Sequence, residues 1–107
     1  MEFQFNTSNA ITGDDEVRTR VEANVIQKLD RISESISRLE LHLSDENGPR
    51  GGDGDKRAML EARLRGSNPI SATHSAATVD LAAAGAADKL LRAFERDQGR
   101  RTTRKGH

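Results

Sequence analysis

Apolar residues in the middle of this chain fall on every second position. Leu39, Leu41 and Leu43 alternate with Arg38, Glu40 and His42, and Ala58, Leu60, Ala62 and Leu64 alternate with Met59, Glu61, Arg63 and Arg65. Successive side chains of a strand point to opposite faces, so each stretch is a strand with one apolar and one polar face. Met1, Phe3 and Phe5 against Glu2, Gln4 and Asn6 give the same pattern at the start of the chain. A short fourth strand places Ile70, Ala72, His74 and Ala76 on one side. Ile36 is out of phase with the leucines that follow it, as a bulge or a leading turn requires. Such a sheet needs cover on one face only.

Two helices supply that cover. The first begins acidic, Asp14-Asp15-Glu16, which suits the positive end of the helix dipole, and carries Val17, Val21, Val25, Leu29 and Ile32 on one stripe. The second is expected from about Thr78 to Gln98. Thr78 is its N-cap, and Val79, Ala83, Ala86, Leu90 and Phe94 form its buried stripe. Between them, residues 45–56 (DENGPRGGDGDK) hold four Gly and one Pro and no apolar side chain, a strand-to-strand loop. Gly66-Ser67-Asn68-Pro69 is a turn. The order is strand, helix, three strands, helix. The expected fold is therefore α+β, β-α-β-β-β-α, a four-stranded sheet with both helices on one face. A right-handed crossover brings the first strand into the sheet. One domain is expected over residues 1–98, with a basic tail at 99–107 that is too polar to pack and is expected to be disordered.

Composition narrows the function. There is no Cys, hence no disulfide framework and no thiolate chemistry, which fits a reducing cytoplasm. No apolar run approaches membrane-spanning length, and a soluble cytoplasmic protein is expected. His42, His74 and His107 are too scattered for metal-ligand spacing. The glycine-rich stretch 51–56 lacks the spacing of a phosphate loop, and its aspartates lack the regular ladder of a calcium loop. No catalytic constellation is present, so neither an enzyme nor a cofactor is expected. Three Phe, two of them on the apolar side of the first strand, offer no platform for stacking bases.

What the chain does offer is a polarised charge distribution. Lys+Arg and Asp+Glu both number 17, yet the C-terminal end collects Lys89, Arg92, Arg96, Arg100, Arg101, Arg104 and Lys105. Lys89, Arg92 and Arg96 recur at one-turn spacing and form a cationic stripe beside the apolar one. Lys28 and Arg31 project beside the stripe of the first helix. With both helices on the same sheet face, Lys28, Arg31, Lys89 and Arg92 are expected to border one continuous basic surface. Any contact with RNA would run through phosphates, carried by Arg and Lys.

Certain segments resemble the hibernation-promoting factor family (RaiA, protein Y), also called sigma-54 modulation or ribosomal subunit interface proteins. Residues 85–94, GAADKLLRAF, are similar to the family's D-K-L-x-R-x-L helix segment. Val25, Lys28, Leu29, Arg31 and Ile32 match its V-x-x-K-[LF]-x-[KR]-L pattern. The stretches at 41–47 and 56–63 look like one bacterial branch. The resemblance is to the short form and spans residues 1–98. It implies a fold shaped like double-stranded-RNA-binding domains. It further implies binding in the channel of the small ribosomal subunit near the decoding centre, idling ribosomes under stress.

Lys28, Arg31, Lys89 and Arg92 occupy matching positions and would face rRNA phosphates, with Arg96 and Arg100 where relatives continue the basic run. It also implies a chain that is monomeric when free, with no small-molecule substrate and no membrane partner. Glu22, Asp80 and Ala84 depart from the family's usual Arg, aromatic and acid, and Glu95 and Asp97 dilute the terminal basic run. Two alternatives stand beside this reading: a protein-interaction regulator of the sigma-54 modulation type, and a general RNA-binding module.

Overall fold

The computed structural model describes residues 1–7, 15–45 and 56–105, with Asp45 and residues 98–105 described by backbone alone. Its elements follow the expected order: β1 (Glu2–Thr7), α1 (Asp15–Lys28), a 3-10 turn (Asp30–Ser35), β2 (Ile36–Asp45), β3 (Lys56–Leu64), β4 (Ile70–Ala76) and α2 (Val79–Lys105). The strands form one sheet in the order β1-β2-β3-β4. β1 runs parallel to β2, placing Phe3 beside Leu39 and Phe5 beside Leu41. The other two pairings are antiparallel. The parallel pair requires a crossover, which α1 provides.

Alternation sets the faces. Leu39, Leu41, Leu43, Ala58, Leu60, Ala62 and Leu64 are buried in one core with Val21, Val25 and Leu29 and with Ala82, Ala83, Ala86, Ala87, Leu90 and Phe94 of α2. Both helices therefore cover the same face. The α2 stripe is broader than the spacing alone indicates, because Ala82 and Ala87 are also fully buried. Small side chains let the helix backbone lie close to the sheet. Phe3 and Phe5 pack against the core only in part, while Met1 lies outside β1 and is exposed.

The stripe of the first helix changes pitch at its end. Leu29 N–H still donates to Val25 C=O (3.1 Å), but Ile32 N–H donates to Leu29 C=O (3.0 Å). The three-residue step from Leu29 to Ile32 matches the tighter 3-10 turn, and Ser33 and Ser35 are poor helix formers. Ile36 is buried because the β2–β3 register slips between Ile36 and Arg38. The extra residue, Ser37, donates its hydroxyl to the carbonyl of Arg63 (3.1 Å). Of the bulge or leading turn expected from the phase of Ile36, a bulge is present.

Further boundaries differ from expectation. Asp45 pairs with Lys56, so both belong to strands, and the β2–β3 connection shortens to residues 46–55, which lie outside the described residues. β3 ends at Leu64, and Arg65 N–H donates to Ser35 C=O (2.9 Å). The backbone of residues 99–105, expected as a disordered tail, continues α2. Arg and Lys are good helix formers and sit favourably at the negative end of the dipole, and one Gly costs only about 1 kcal/mol. The segment between β1 and α1, residues 8–14, lies outside the described residues. Gly66 supplies the left-handed backbone (φ 72°) of the β3–β4 turn.

Candidate nucleic-acid interface

α2 positions most of the candidate cations, and its own placement starts at the cap. Thr78 Oγ1 accepts from the N–H of Leu81 (3.1 Å), and Ala82 N–H donates to Thr78 C=O (2.9 Å). Two turns on, Gly85 lies over the ring of His74 on β4. A Cβ built at Gly85 would fall 2.1 Å from His74 Cδ2. The missing side chain therefore allows α2 to settle onto β4. One turn further, Lys89 Nζ donates to the carbonyl of Thr73 (3.1 Å). β4 is an edge strand, and a lysine on its free carbonyl row is a common way to guard such an edge.

Along this edge runs an open groove. Ser71, Ala72 and Thr73 form one wall and Lys89, Arg92, Ala93 and Arg96 the other. Arg92 and Arg96 are exposed and, among the described residues, are the only Lys or Arg side chains without an ion-pair, hydrogen-bond or ring partner. Lys89 is held, among the described residues, by a neutral carbonyl alone. Among the described residues the groove is a row of three positive charges with no acidic partner, beside the backbone polar groups of the β4 edge, a chemistry suited to phosphates.

The opposite flank of α2 is acidic. Asp80, Asp88 and Glu95 recur at steps of eight and seven, which keeps them on one side of the helix. Each meets a cation of the α1 segment: Arg20 bonds Asp80 through two nitrogens (both 2.9 Å), Lys28 reaches Asp88 (3.1 Å), and Arg31 reaches Glu95 (2.5 Å). The sequence separations are 60, 60 and 64 residues, so the two segments run parallel with matched rungs.

The six expected contact residues are therefore not brought together. Lys89, Arg92 and Arg96 share the groove. Lys28 and Arg31 are exposed on the far flank and engaged by acids, with Asp88 and Glu95 lying between them and the groove. Arg100 falls within α2, beyond the residues whose side chains are described. The continuous basic surface expected from Lys28, Arg31, Lys89 and Arg92 is interrupted by that acidic row. Sequence reading missed the ladder and the β4 residues Ser71 and Thr73. The common offset of 60 between Arg20 and Asp80 and between Lys28 and Asp88 was legible, but only a known helix pairing gives it meaning.

The open face of the sheet is charged but compensated. Glu40, whose side chain is 16% exposed, lies 3.4 Å from Arg38, 4.0 Å from Arg63 and 3.3 Å from His42. Arg38 also bonds Gln4. Arg18 of α1 sits over the Phe5 ring, 5.8 Å from its centroid. This face presents no row of free cations among the described residues. The described residues contain no cluster of His, Cys, Asp and Glu able to hold a metal, and no helix long and apolar enough to cross a membrane.

The fold has close counterparts. A crystal structure of the Protein Y N-terminal domain of Thermus thermophilus superposes with a TM-score of 0.70 at 21% identity, covering 90% of this chain and 98% of that one. A ribosomal subunit interface protein from Coxiella burnetii gives 0.73 at 17% identity, covering 92% and 99%. At these identities the likeness speaks for the fold. No curated protein matches the chain in sequence. The model of one family, described as Sigma 54 modulation protein / S30EA ribosomal protein, matches residues 6–102, from β1 through most of α2. With that match spanning nearly every element of the fold, the chain belongs to the Sigma 54 modulation protein / S30EA ribosomal protein family.

Proposed function

We propose that this protein is a ribosome-associated translation inhibitor that binds the small subunit in its channel near the decoding centre and idles ribosomes under stress. Family membership and the likeness to a ribosomal subunit interface protein from Coxiella burnetii support the ribosome as partner. The observation that carries the mode of binding is the row of Lys89, Arg92 and Arg96 along the free edge of β4, with Arg92 and Arg96 unpaired among the described residues. A phosphate backbone laid in this groove would meet charge without displacing an internal partner. Base recognition is not required of it, since no aromatic side chain lines the groove. The function is binding, with no chemical step.

Pelleting with purified small subunits tests this reading. Arg92→Glu with Arg96→Glu should abolish co-pelleting, because each lost phosphate contact becomes a repulsion. Arg18→Glu with Arg65→Glu, an equal charge change outside the groove, should retain it. Arg38 and Arg63 are unsuitable controls, since their loss would strip the half-buried Glu40 of its partners. Equal loss in both variants would overturn the groove assignment. Sedimentation of a stationary-phase lysate separates the partner classes: a ribosome-bound protein travels with ribosomal particles, and a modulator of transcription stays at the top of the gradient.

A further inference from the structure

The two flanks of α2 carry opposite charge, and the acidic one is occupied by the cations of the first helical segment. Asp88 takes Lys28 at 3.1 Å and Glu95 takes Arg31 at 2.5 Å. All four side chains are substantially solvent-exposed, between 39% and 64%. These pairs are therefore not needed to satisfy buried charge, and exposed pairs of this kind add little to folding. Their larger consequence is electrostatic. They cancel two positive charges that would otherwise extend the groove's field across the helical face, within about one Debye length of a ligand on α2.

We propose that Asp88 and Glu95 set the protein's affinity for polyanions, withholding Lys28 and Arg31 and leaving a one-sided surface made of Lys89, Arg92 and Arg96. The inference rests on the reading of the groove as a phosphate site. It assigns to two acids a restraining role in binding, and to Lys28 and Arg31 a reserve that contributes more once those acids are neutralised. A polyanion approaching from the β4 side meets uncompensated cations first. One approaching from the α1 side meets paired charge. Binding thereby acquires a direction on a chain whose Lys+Arg and Asp+Glu both number 17.

The test uses the full chain with two probes, purified small subunits and homopolymeric single-stranded RNA. Asp88→Asn with Glu95→Gln should tighten binding about three- to tenfold at low salt, as two exposed pairs of modest strength are released. It should also steepen the salt dependence by about 1.5 in log–log slope, as two new phosphate contacts form. Glu16→Gln with Glu34→Gln raises the net charge equally on exposed residues outside the ladder and should change affinity less than twofold. Lys28→Gln with Arg31→Gln uncovers Asp88 and Glu95 and should weaken binding of the native chain by no more than about three- to tenfold, and it should cancel the gain in the Asp88→Asn/Glu95→Gln background.

An acid variant that is folded by circular dichroism but binds no tighter would overturn the inference. So would an equal gain from the Glu16/Glu34 variant, or a loss from Lys28→Gln with Arg31→Gln as large as that from neutralising Arg92 and Arg96. Should the native chain ignore small subunits while the gain appears on homopolymeric RNA, the ribosomal reading fails and the restraint by Asp88 and Glu95 stands.

Discussion

Gly85 is where α2 comes nearest the sheet, and one methyl group there tests how the helix is seated. Gly→Ala in a helix interior normally gains about 1 kcal/mol. Here the new Cβ would lie 2.1 Å from His74 Cδ2 and 2.5 Å from Cγ, close to the root of the ring, so rotation of the side chain alone gives limited relief. Overpacking costs about 1–3 kcal/mol and should win, lowering the melting temperature by several degrees. In a His74→Ala background the clash disappears, and the same substitution should stabilise. Absence of that sign reversal in a melting-temperature cycle would mean that α2 does not bear on β4 at this point. Thr78 is a second sensitive residue. Thr78→Ala removes the acceptor for Leu81 N–H and should cost about 1 kcal/mol in chemical denaturation, with Thr78→Ser largely retaining it.

Between elements, the three rungs joining the α1 segment to α2 hold less energy than their number suggests. Their side chains are a third to two-thirds exposed, and each pair is worth at most about 1 kcal/mol. Neutralising Lys28 and Arg31 together should lower stability by less than about 2 kcal/mol, because Val21, Val25, Leu29 and Ile32 bury the segment independently of its charges. A larger loss in denaturant titration would show that the ladder, and not the apolar stripe, docks α1. The β2–β3 connection gives a second check. Its ends are already paired, Asp45 with Lys56, so shortening residues 46–55 to four residues should alter stability by less than about 1 kcal/mol, the logarithmic closure term. Thermal melting of that deletion should sit close to the native chain.

For the whole molecule, zero formal net charge hides a strong division of sign. The groove beside β4 is cationic, the α1–α2 seam is neutralised, and Arg38, His42 and Arg63 surround Glu40 on the open sheet face. Long-range attraction of a polyanion to a neutral protein is weak, so binding should depend on local contacts and on ionic strength. Three groove cations, each contributing roughly −0.7 to −0.9, give an expected slope near −2 to −3 for log K against log salt, by analogy with simple nucleic acids. Titrating binding to small subunits against potassium chloride measures it. A flat line between low and moderate salt would remove phosphate contact as the basis of binding.

Much of this arrangement was already determined by the order of residues along the chain. The period-2 runs at 38–44 and 57–64 specify strands with one apolar face, the stripes of Val21, Val25 and Leu29 and of Ala83, Ala86, Leu90 and Phe94, at steps of three and four, specify their cover, and Ile36 out of phase marks a bulge or leading turn. These are local signals, because side-chain direction within a strand or helix is dictated by backbone geometry alone. Lys89, Arg92 and Arg96 as one stripe belong to the same class, being a matter of helical pitch. Only the tertiary structure decided what lies on either side of that stripe. Whether Lys28 meets a ligand or Asp88 depends on how two helices sixty residues apart are laid on the sheet. That depends in turn on alanines and Gly85 letting α2 sink toward β3 and β4. Charge is long-ranged and blind to sequence distance, so its partners follow from packing, and packing is the one thing a periodicity does not encode.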